Sequence, residues 1–328
     1  MSRGLGAPFA SKLPLSVRFL TSKFAVSKTF LGISIASFNS GNRKRKESQV
    51  RKCILYIILT LVTELVAAAP SAVPHLYELK NKKKTLYLLG TMHAGVSLSE
   101  YPSSILNFID SSDIILFEKV FSRDVLNSIS NNYLGYISNI LKSEQISEAT
   151  LLPRTRTSLI QYGIPESLVD NIDSKNCSIF ISIRFHLNNP GLDLQILKYA
   201  YERGKSIDEL DSEVLREEAN ELDEDQGSAA SCDLNEIFRT YTVNQIHNWE
   251  NGRIQEYKSG DSSKIYSDGE PYDLGVAHRN KAWVESILNI PVEGRYFIAV
   301  GAMHLYSSEG MLKLLEDAGF SIKRLDLH

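Results

Sequence analysis

Two histidines occur in matched contexts near opposite ends of the chain. His93 ends the segment LYLLGTMH and His304 ends YFIAVGAMH, so each follows an apolar run, a glycine, one further residue and a methionine. Imidazole at such positions can bind a divalent metal or transfer protons. Glycine lets the backbone turn or pack closely at a strand end, which can aim the next side chain into a crevice. One such histidine is usually structural, but two in matched contexts predict a shared site.

Carboxylates are expected to complete this site. Glu118 interrupts the apolar run DIILFEKV at its C-terminal end, where a buried carboxylate without a cation would be costly. Histidines combined with a carboxylate are typical of metal sites that keep one coordination position open. Glu118 is therefore the predicted third ligand or general base, and Asp211, at the end of the short strand SIDELD, is an accessory candidate. The alternative for each acid is a solvent-facing position.

An arginine late in the chain is the remaining candidate. Arg279 lies in the segment HRN at the start of a helix predicted over residues 278–290. A guanidinium there could hold a substrate carboxylate or stabilise an oxyanion. The alternative is a solvated arginine at a helix start. The histidines His75, His186 and His247 lack any supporting constellation.

The elements that position these residues alternate at the two ends of the chain. HLYEL and TLYLLG predict a hairpin, and DIILFEKV, GKSIDEL, YFIAVG and SIKRLDL predict further strands. Helices are predicted over residues 124–145, 236–258, most of 166–201 and EGMLKLLEDAGF. This order favours an α/β domain with a layered mixed sheet and a mostly helical middle insert. The chain has no GxGxxG, P-loop or HExxH motif, so dinucleotide enzymes, NTPases and common zinc peptidases are not supported.

The start of the chain differs in charge from the rest. Residues 1–52 carry 11 Lys/Arg and one acid, whereas the remainder carries 25 basic and 38 acidic residues. An acidic body argues against nucleic-acid binding. KRKESQVRK precedes the apolar CILYIILTLVT and a run that ends in Ala-Ala-Ala, which predicts a signal-peptide hydrophobic region over 53–70. Localisation is thus predicted to be periplasmic or secreted, with an uncleaved membrane anchor or an organellar transit peptide as alternatives.

The predicted domain organisation follows from this charge pattern. Residues 1–52 are expected to be a basic extension that is disordered or precedes the true start of translation, and 75–328 a single domain. Cys177 and Cys232 could pair in an oxidising compartment, although their separation leaves this open.

In order, these segments resemble the TraB/PrgY/GumN family, which includes the Tiki peptidases. The similarity rests on GTMH, the strand ending in Glu118, GKSIDELDSE, WENGR, RN-x-x-W and GAMHLxxxxGMLxLLxxxGF, and it spans roughly residues 76–327. It implies one domain of the erythromycin-esterase/ChaN-like type. It also implies a divalent-metal site, with Mn, Co or Zn as cofactor, formed by His93, Glu118 and His304 with Arg279 beside them. Asp211 stands where the family usually has glutamate.

The predicted function is a metal-dependent hydrolase, foremost a peptidase, that acts on a peptide or small-molecule substrate. The rival is a non-catalytic protein that captures haem or a peptide signal in the same crevice, where Met92 and Met303 would suit iron. In an extended segment, however, Met92 and His93 point to opposite faces. We therefore expect both methionines to pack in the core.

Overall fold

A mixed β-sheet lies at the centre of the fold. The structure, a computed structural model, describes residues 71–81, 84–143, 150–174, 191–225, 233–265, 274–291 and 293–327. The strands among these residues are β1 His75–Lys80, β2 Thr85–Thr91, β3 Ile114–Phe117, β4 Ser206–Glu209, β5 Tyr296–Gly301 and β6 Ser321–Arg324. They pair in the order β4-β3-β5-β2-β1-β6.

Strand direction determines where the loops emerge. The neighbours β4, β3, β5 and β2 run parallel, whereas β1 is antiparallel to both β2 and β6. The β1–β2 pair is the predicted hairpin. Thr91 lies opposite Gly301 at the last rung of β2 and β5. Parallel strands end at a common edge, so the segments that follow β2, β3, β4 and β5 all emerge on one side of the sheet.

Helices flank the sheet and make up most of the described residues between β3 and β5, as predicted. In the described part of the chain they are α1 Ser104–Ser111, α2 Arg123–Ser143, α3 Pro153–Tyr162, α4 Glu166–Val169, α5 Leu192–Glu202, α6 Glu213–Asp225, α7 Leu234–Thr240, α8 Val243–Lys258, α9 Leu274–Asn289 and α10 Met311–Asp317. Helix α2 is kinked at Asn132. The helix predicted over 166–201 becomes α4 and α5, and residues 175–190 between them lie outside the described residues.

The helix predicted over 236–258 is in fact two helices. Tyr241 and Thr242 separate α7 from α8. The Thr242 hydroxyl accepts a hydrogen bond from the Gln245 amide, and the Gln245 side chain accepts one from the Thr242 amide. This capping box satisfies backbone donors that would otherwise be left without partners, and so it fixes the start of α8.

Two apolar layers cover the two faces of the sheet. On one face α1 and α5 pack on Leu89, Ile115 and Phe297. On the other face α9 and α10 pack on Leu88 and Ile298. A third cluster, formed by α3, α4 and α7, builds the helical segment away from the sheet. The alternation along each strand therefore divides its side chains between two helical layers.

These layers confirm the α/β fold class with a mixed sheet and helices. The narrower erythromycin-esterase/ChaN-like type and the single domain over 75–328 remain predictions. The predictions for residues 1–52, for the signal region 53–70, and for Cys177 and Cys232 concern parts of the chain outside the described residues. Within the described ranges, no helix combines the length and apolar character needed to cross a membrane.

Candidate functional site

The five predicted site residues meet where the parallel strands end. Four of them follow β2, β3, β4 and β5 within three residues: His93, Glu118, Asp211 and His304. Arg279 reaches the same edge from α9. The pairing of β2 with β5 places the two histidine-bearing turns side by side. The structure thus brings together residues that are far apart in the sequence.

Glu118 lies between the two histidines. Its Oε2 is 3.8 Å from Nε2 of His93, and its Oε1 is 3.6 Å from Nε2 of His304. The Gly301 amide donates a hydrogen bond of 2.5 Å to Glu118 Oε1 and thereby holds the carboxylate. A Cβ on Gly301 would lie 3.2 Å from Glu118 Oε1 and 3.3 Å from His93 Nε2. The φ of Gly301 is −54°, so glycine is needed here for space rather than for an unusual backbone conformation.

Each histidine is held through its other ring nitrogen. Asp193 Oδ2 lies 3.3 Å from His93 Nδ1, and Asn280 Oδ1 lies 2.7 Å from His304 Nδ1. Because both partners present an accepting oxygen, each Nδ1 carries a proton and each Nε2 is turned toward Glu118. His304 is buried, whereas the His93 side chain is 59% exposed. Contacts of this kind orient imidazoles that bind metals.

The charges around His93 are predominantly negative. The Asp193 carboxylate raises the pKa of His93 to about 9, and Glu118 acts in the same direction while Arg279 opposes it. Without a cation these carboxylates favour a proton on His93 Nε2, and a metal ion bound there would have to displace that proton. Asp211 adds a third carboxylate, which pairs with Arg279 and, at 3.9 Å, with Arg216. The two carboxylates that face His93, from Asp193 and Glu118, favour a cation as ligand.

Asp211 holds Arg279 instead of facing the histidines. Arg279 donates from Nε and Nη2 to the two carboxylate oxygens of Asp211 at 3.2 and 2.9 Å. Trp283 Nε1 donates to Asp211 Oδ1 at 2.9 Å, and the guanidinium lies 4.7 Å from the centroid of the Trp283 ring. Arg279 Nη2 also reaches Glu118 Oε2 at 3.5 Å. The buried Asp211 carboxylate thus fixes the arginine that contacts the glutamate.

The predicted start of the helix that carries Arg279 was wrong. Helix α9 begins at Leu274 rather than at residue 278, so Arg279 lies in its second turn. The side chain of Arg279 is 21% exposed because it packs against Trp283 and Asp211. It is not the solvated residue that a helix start would allow.

The two methionines differ from each other. Met92 is partly buried and packs against the core, as expected. Met303 is 56% exposed, so the packing predicted for it was wrong. The residues after β5 form a 3₁₀ turn, Ala302–His304, rather than a continued strand. This turn directs His304 inward and leaves Met303 on the outside.

Sequence reasoning missed the residues that hold the rings. Asn280 adjoins Arg279 in the RN-x-x-W segment, so its position beside a candidate residue was an available signal. No pattern marked Asp193. It reaches His93 because the first turn of α5 docks on the first histidine-bearing turn, where the Leu192 amide donates to the Met92 carbonyl at 2.9 Å.

The donor set suits a divalent cation that accepts nitrogen and oxygen ligands. Within the described residues, no three His, Cys, Asp or Glu side chains stand as a ready group for holding a metal ion. The chemistry of His93, Glu118 and His304 nevertheless fits such an ion, since two imidazole Nε2 atoms face one carboxylate. Their remaining ring nitrogens are already engaged. The mixture of imidazole and carboxylate does not select among Mn, Co and Zn.

The fold and site define a mixed α/β protein with a polar site at the carboxyl ends of its parallel strands. The model of the TraB/PrgY/gumN family matches residues 75–324, and the chain therefore belongs to that family. No curated protein matches it. No solved structure matches it either.

Proposed function

We propose that the protein is a divalent-metal-dependent hydrolase that cleaves peptide bonds. One observation carries this proposal: the Nε2 atoms of His93 and His304 face the two carboxylate oxygens of Glu118. The Nδ1 atoms of both rings are held by Asp193 and Asn280, so the rings are oriented before any ligand arrives.

Each residue has a proposed role. His93 and His304 would hold the cation, and Glu118 would be either its third ligand or a general base. When bound, the cation would lower the pKa of a water molecule and polarise the scissile carbonyl. Arg279 would orient the substrate or stabilise negative charge that develops on the carbonyl oxygen. Asp211 would keep Arg279 in place.

We further propose that the protein acts in the periplasm or outside the cell. The support is the sequence of residues 44–70, where a basic segment, an apolar run and small residues follow one another. If the signal is not cleaved, it would tether the domain to a membrane. N-terminal sequencing of the mature protein distinguishes these outcomes: loss of residues 1–70 is expected, and their retention would contradict cleavage.

Hydrolysis and metal content together test the function. Purified protein is assayed for metal and for cleavage of a mixed peptide library after addition of Mn²⁺, Co²⁺ or Zn²⁺. We expect cleavage that a chelator abolishes and that His93→Ala and His304→Ala each reduce by at least about a hundredfold. His278→Ala is the matched control, because the His278 ring pairs with Glu218 of α6.

Three outcomes would overturn the proposal in different ways. Cleavage that survives the chelator but not His93→Ala would indicate a metal-free reaction with His93 as base. A haem absorption band without cleavage would favour the binding-protein alternative. Metal content that neither histidine substitution changes would end the idea of a shared metal site.

A further inference from the structure

One histidine and four tyrosines form a largely buried cluster that the proposed reaction does not use. The members of this tyrosine cluster are His75, Tyr77, Tyr101, Tyr257 and Tyr306. His75 is fully buried, and Tyr77, Tyr101 and Tyr257 are 7%, 4% and 2% exposed. Side-chain hydrogen bonds join His75, Tyr306 and Tyr77 in one group and Tyr101 with Tyr257 in another, and the Tyr257 carbonyl accepts from His75 to connect the two groups. Buried hydroxyl groups are costly unless paired, so the pattern of their partners shows what the cluster fixes.

Tyr257 fixes the backbone that leads into the first histidine-bearing turn. Its hydroxyl donates to the Gly90 carbonyl at 2.7 Å, three residues before His93. Tyr101 donates to the same Tyr257 hydroxyl at 2.8 Å. His75 lies opposite Gly90 in the β1–β2 register, and its Nε2 is 3.1 Å from the Tyr257 carbonyl. Through Tyr257, helix α8 is thereby attached to the end of β2 at Gly90 and to the start of β1 at His75.

The His75 ring extends the cluster toward the second histidine-bearing turn. A carbonyl can only accept, so Nε2 of His75 carries the proton that faces Tyr257. Nδ1 of His75 is then the acceptor, and the Tyr306 hydroxyl donates to it at 2.5 Å. Tyr77 donates in turn to the Tyr306 oxygen at 3.0 Å. Tyr306 lies two residues after His304.

We propose that Tyr257 and Tyr306 are positioning residues that hold the two histidine-bearing turns at one fixed separation, with His75 as the link between them. Tyr257 acts through Gly90 on the turn of His93, and Tyr306 acts on the turn of His304. The effect on metal binding rests on the proposed function, whereas the effect on the two turns does not. The cluster would set the distance between the two Nε2 atoms, on which the affinity of a shared ligand depends.

Paired hydroxyl deletions test this proposal in the full-length protein. Tyr257→Phe removes the hydrogen bond to Gly90, whereas Tyr101→Phe removes only a bond to the Tyr257 hydroxyl and leaves that to Gly90 intact. We expect Tyr257→Phe to weaken Mn²⁺ binding in calorimetry by about tenfold. We expect Tyr101→Phe to leave the Mn²⁺ affinity within about twofold of the unaltered protein, since this substitution removes no hydrogen bond to a histidine-bearing turn.

A second readout separates positioning from metal binding. Hydrogen exchange followed by mass spectrometry should show faster exchange over residues 91–95 in Tyr257→Phe than in Tyr101→Phe. Tyr306→Phe and Tyr77→Phe form the corresponding pair for residues 302–306. In Tyr257→Phe, the Tyr101 hydroxyl loses its acceptor. The double variant Tyr101→Phe/Tyr257→Phe removes that hydroxyl as well, and it should bind Mn²⁺ no better than Tyr257→Phe.

The outcomes are distinguishable. Equal exchange and equal Mn²⁺ affinity in Tyr257→Phe and Tyr101→Phe would overturn the positioning role. If the unaltered protein binds no Mn²⁺, Co²⁺ or Zn²⁺ but the exchange difference appears, the metal proposal falls and the positioning of the turns stands. If binding occurs and the double variant recovers full affinity, the effect of Tyr257→Phe came from an unpaired hydroxyl and the positioning role is refuted.

Discussion

At the residue scale, the site depends on the absence of a side chain at Gly301. The space beside its Cα is bounded by Glu118 Oε1, His93 Nε2 and His304 Cδ2 at 3.2, 3.3 and 3.6 Å from an added Cβ. A methyl group there would touch all three side chains without straining the backbone. The glycine in this motif therefore keeps open the place where the proposed ligands converge.

Gly301→Ala should consequently impair the ligand set more than the fold. Contacts of 3.2–3.3 Å force the carboxylate and the imidazole apart by a few tenths of an ångström. We expect Mn²⁺ affinity to fall about tenfold or more, with a loss of about 1 kcal/mol, the lower end of the overpacking range, in the free energy of unfolding. Calorimetry and urea unfolding measure the two effects.

The control for that variant is Gly252→Ala in α8, where an added Cβ meets nothing within 4 Å. It should leave metal binding unchanged and stabilise the protein by up to about 1 kcal/mol, because alanine favours helix more than glycine does. Unaltered metal affinity in Gly301→Ala would contradict the place assigned to the ligands.

His75 gives a prediction on pH. Burial lowers the pKa of His75 to about 4 in the folded protein, from 6.5. As the pH falls below about 6.5, His75 of the unfolded chain binds a proton, whereas His75 of the folded protein stays neutral until about pH 4. Stability should therefore decline across this window, with His75 contributing up to about 3 kcal/mol of the loss. In His75→Gln, urea unfolding at pH 7 and 4.5 should show a smaller decline, and parallel pH curves would count against this assignment.

At the element scale, the first turn of α5 is the part that presents Asp193 to His93. Gly191 permits this docking, because an added Cβ would lie 2.4 Å from the His93 carbonyl oxygen and 2.4 Å from Asp193 Oδ1. Its φ of −49° is open to any residue, so space alone requires glycine here. The contact joins a helix start to the first histidine-bearing turn.

Gly191→Ala should displace the start of α5 from His93. A clash with backbone cannot be relieved by a rotamer change, so we expect a loss of about 1–3 kcal/mol in stability. Faster hydrogen exchange is expected over residues 91–95 and 191–195. Tyr257→Phe, which acts on the same turn from α8, provides the comparison: if Gly191→Ala leaves residues 91–95 unchanged, α5 does not hold that turn.

Most elements could be predicted from the sequence because their signals are local. The strands β1, β2, β3 and β5 are short apolar runs bounded by polar residues or glycine, and each was found. The break between α7 and α8 was missed, since its signal is the side-chain exchange between Thr242 and Gln245 and not a change in hydrophobic period. The first turn of α9 was missed as well, because the polar run that ends at Asp273 and the poor helix former Gly275 indicate a connection rather than a helix.

At the scale of the whole molecule, the site exists only when distant segments are paired. His93 and His304 become neighbours because β5 lies between β3 and β2. The matched motifs led to the expectation of a shared site, but strand order is a long-range property that no local pattern contains. Asp193 and Asn280 depend on that order too, which is why their roles could not be derived from the sequence alone.

Ligand binding should therefore stabilise the entire fold. A cation that requires both β2 and β5 binds the folded protein and not the unfolded chain, so at a hundred times its dissociation constant it should add about 2.7 kcal/mol. Thermal unfolding with and without Mn²⁺ should show a rise in midpoint for the unaltered protein and little change for His304→Ala. An equal rise in both would place the cation elsewhere.

The central claim is that His93 and His304 serve one ligand, and a calorimetric double-mutant cycle tests it most directly. Mn²⁺, Co²⁺ and Zn²⁺ are titrated into the unaltered protein, His93→Ala, His304→Ala and the double variant, with His278→Ala as control. We predict one binding event per chain, strong loss in each single variant, and a double variant scarcely worse than either, because ligands of one site are not additive. Additive losses, or binding that survives in the double variant, would contradict the shared site.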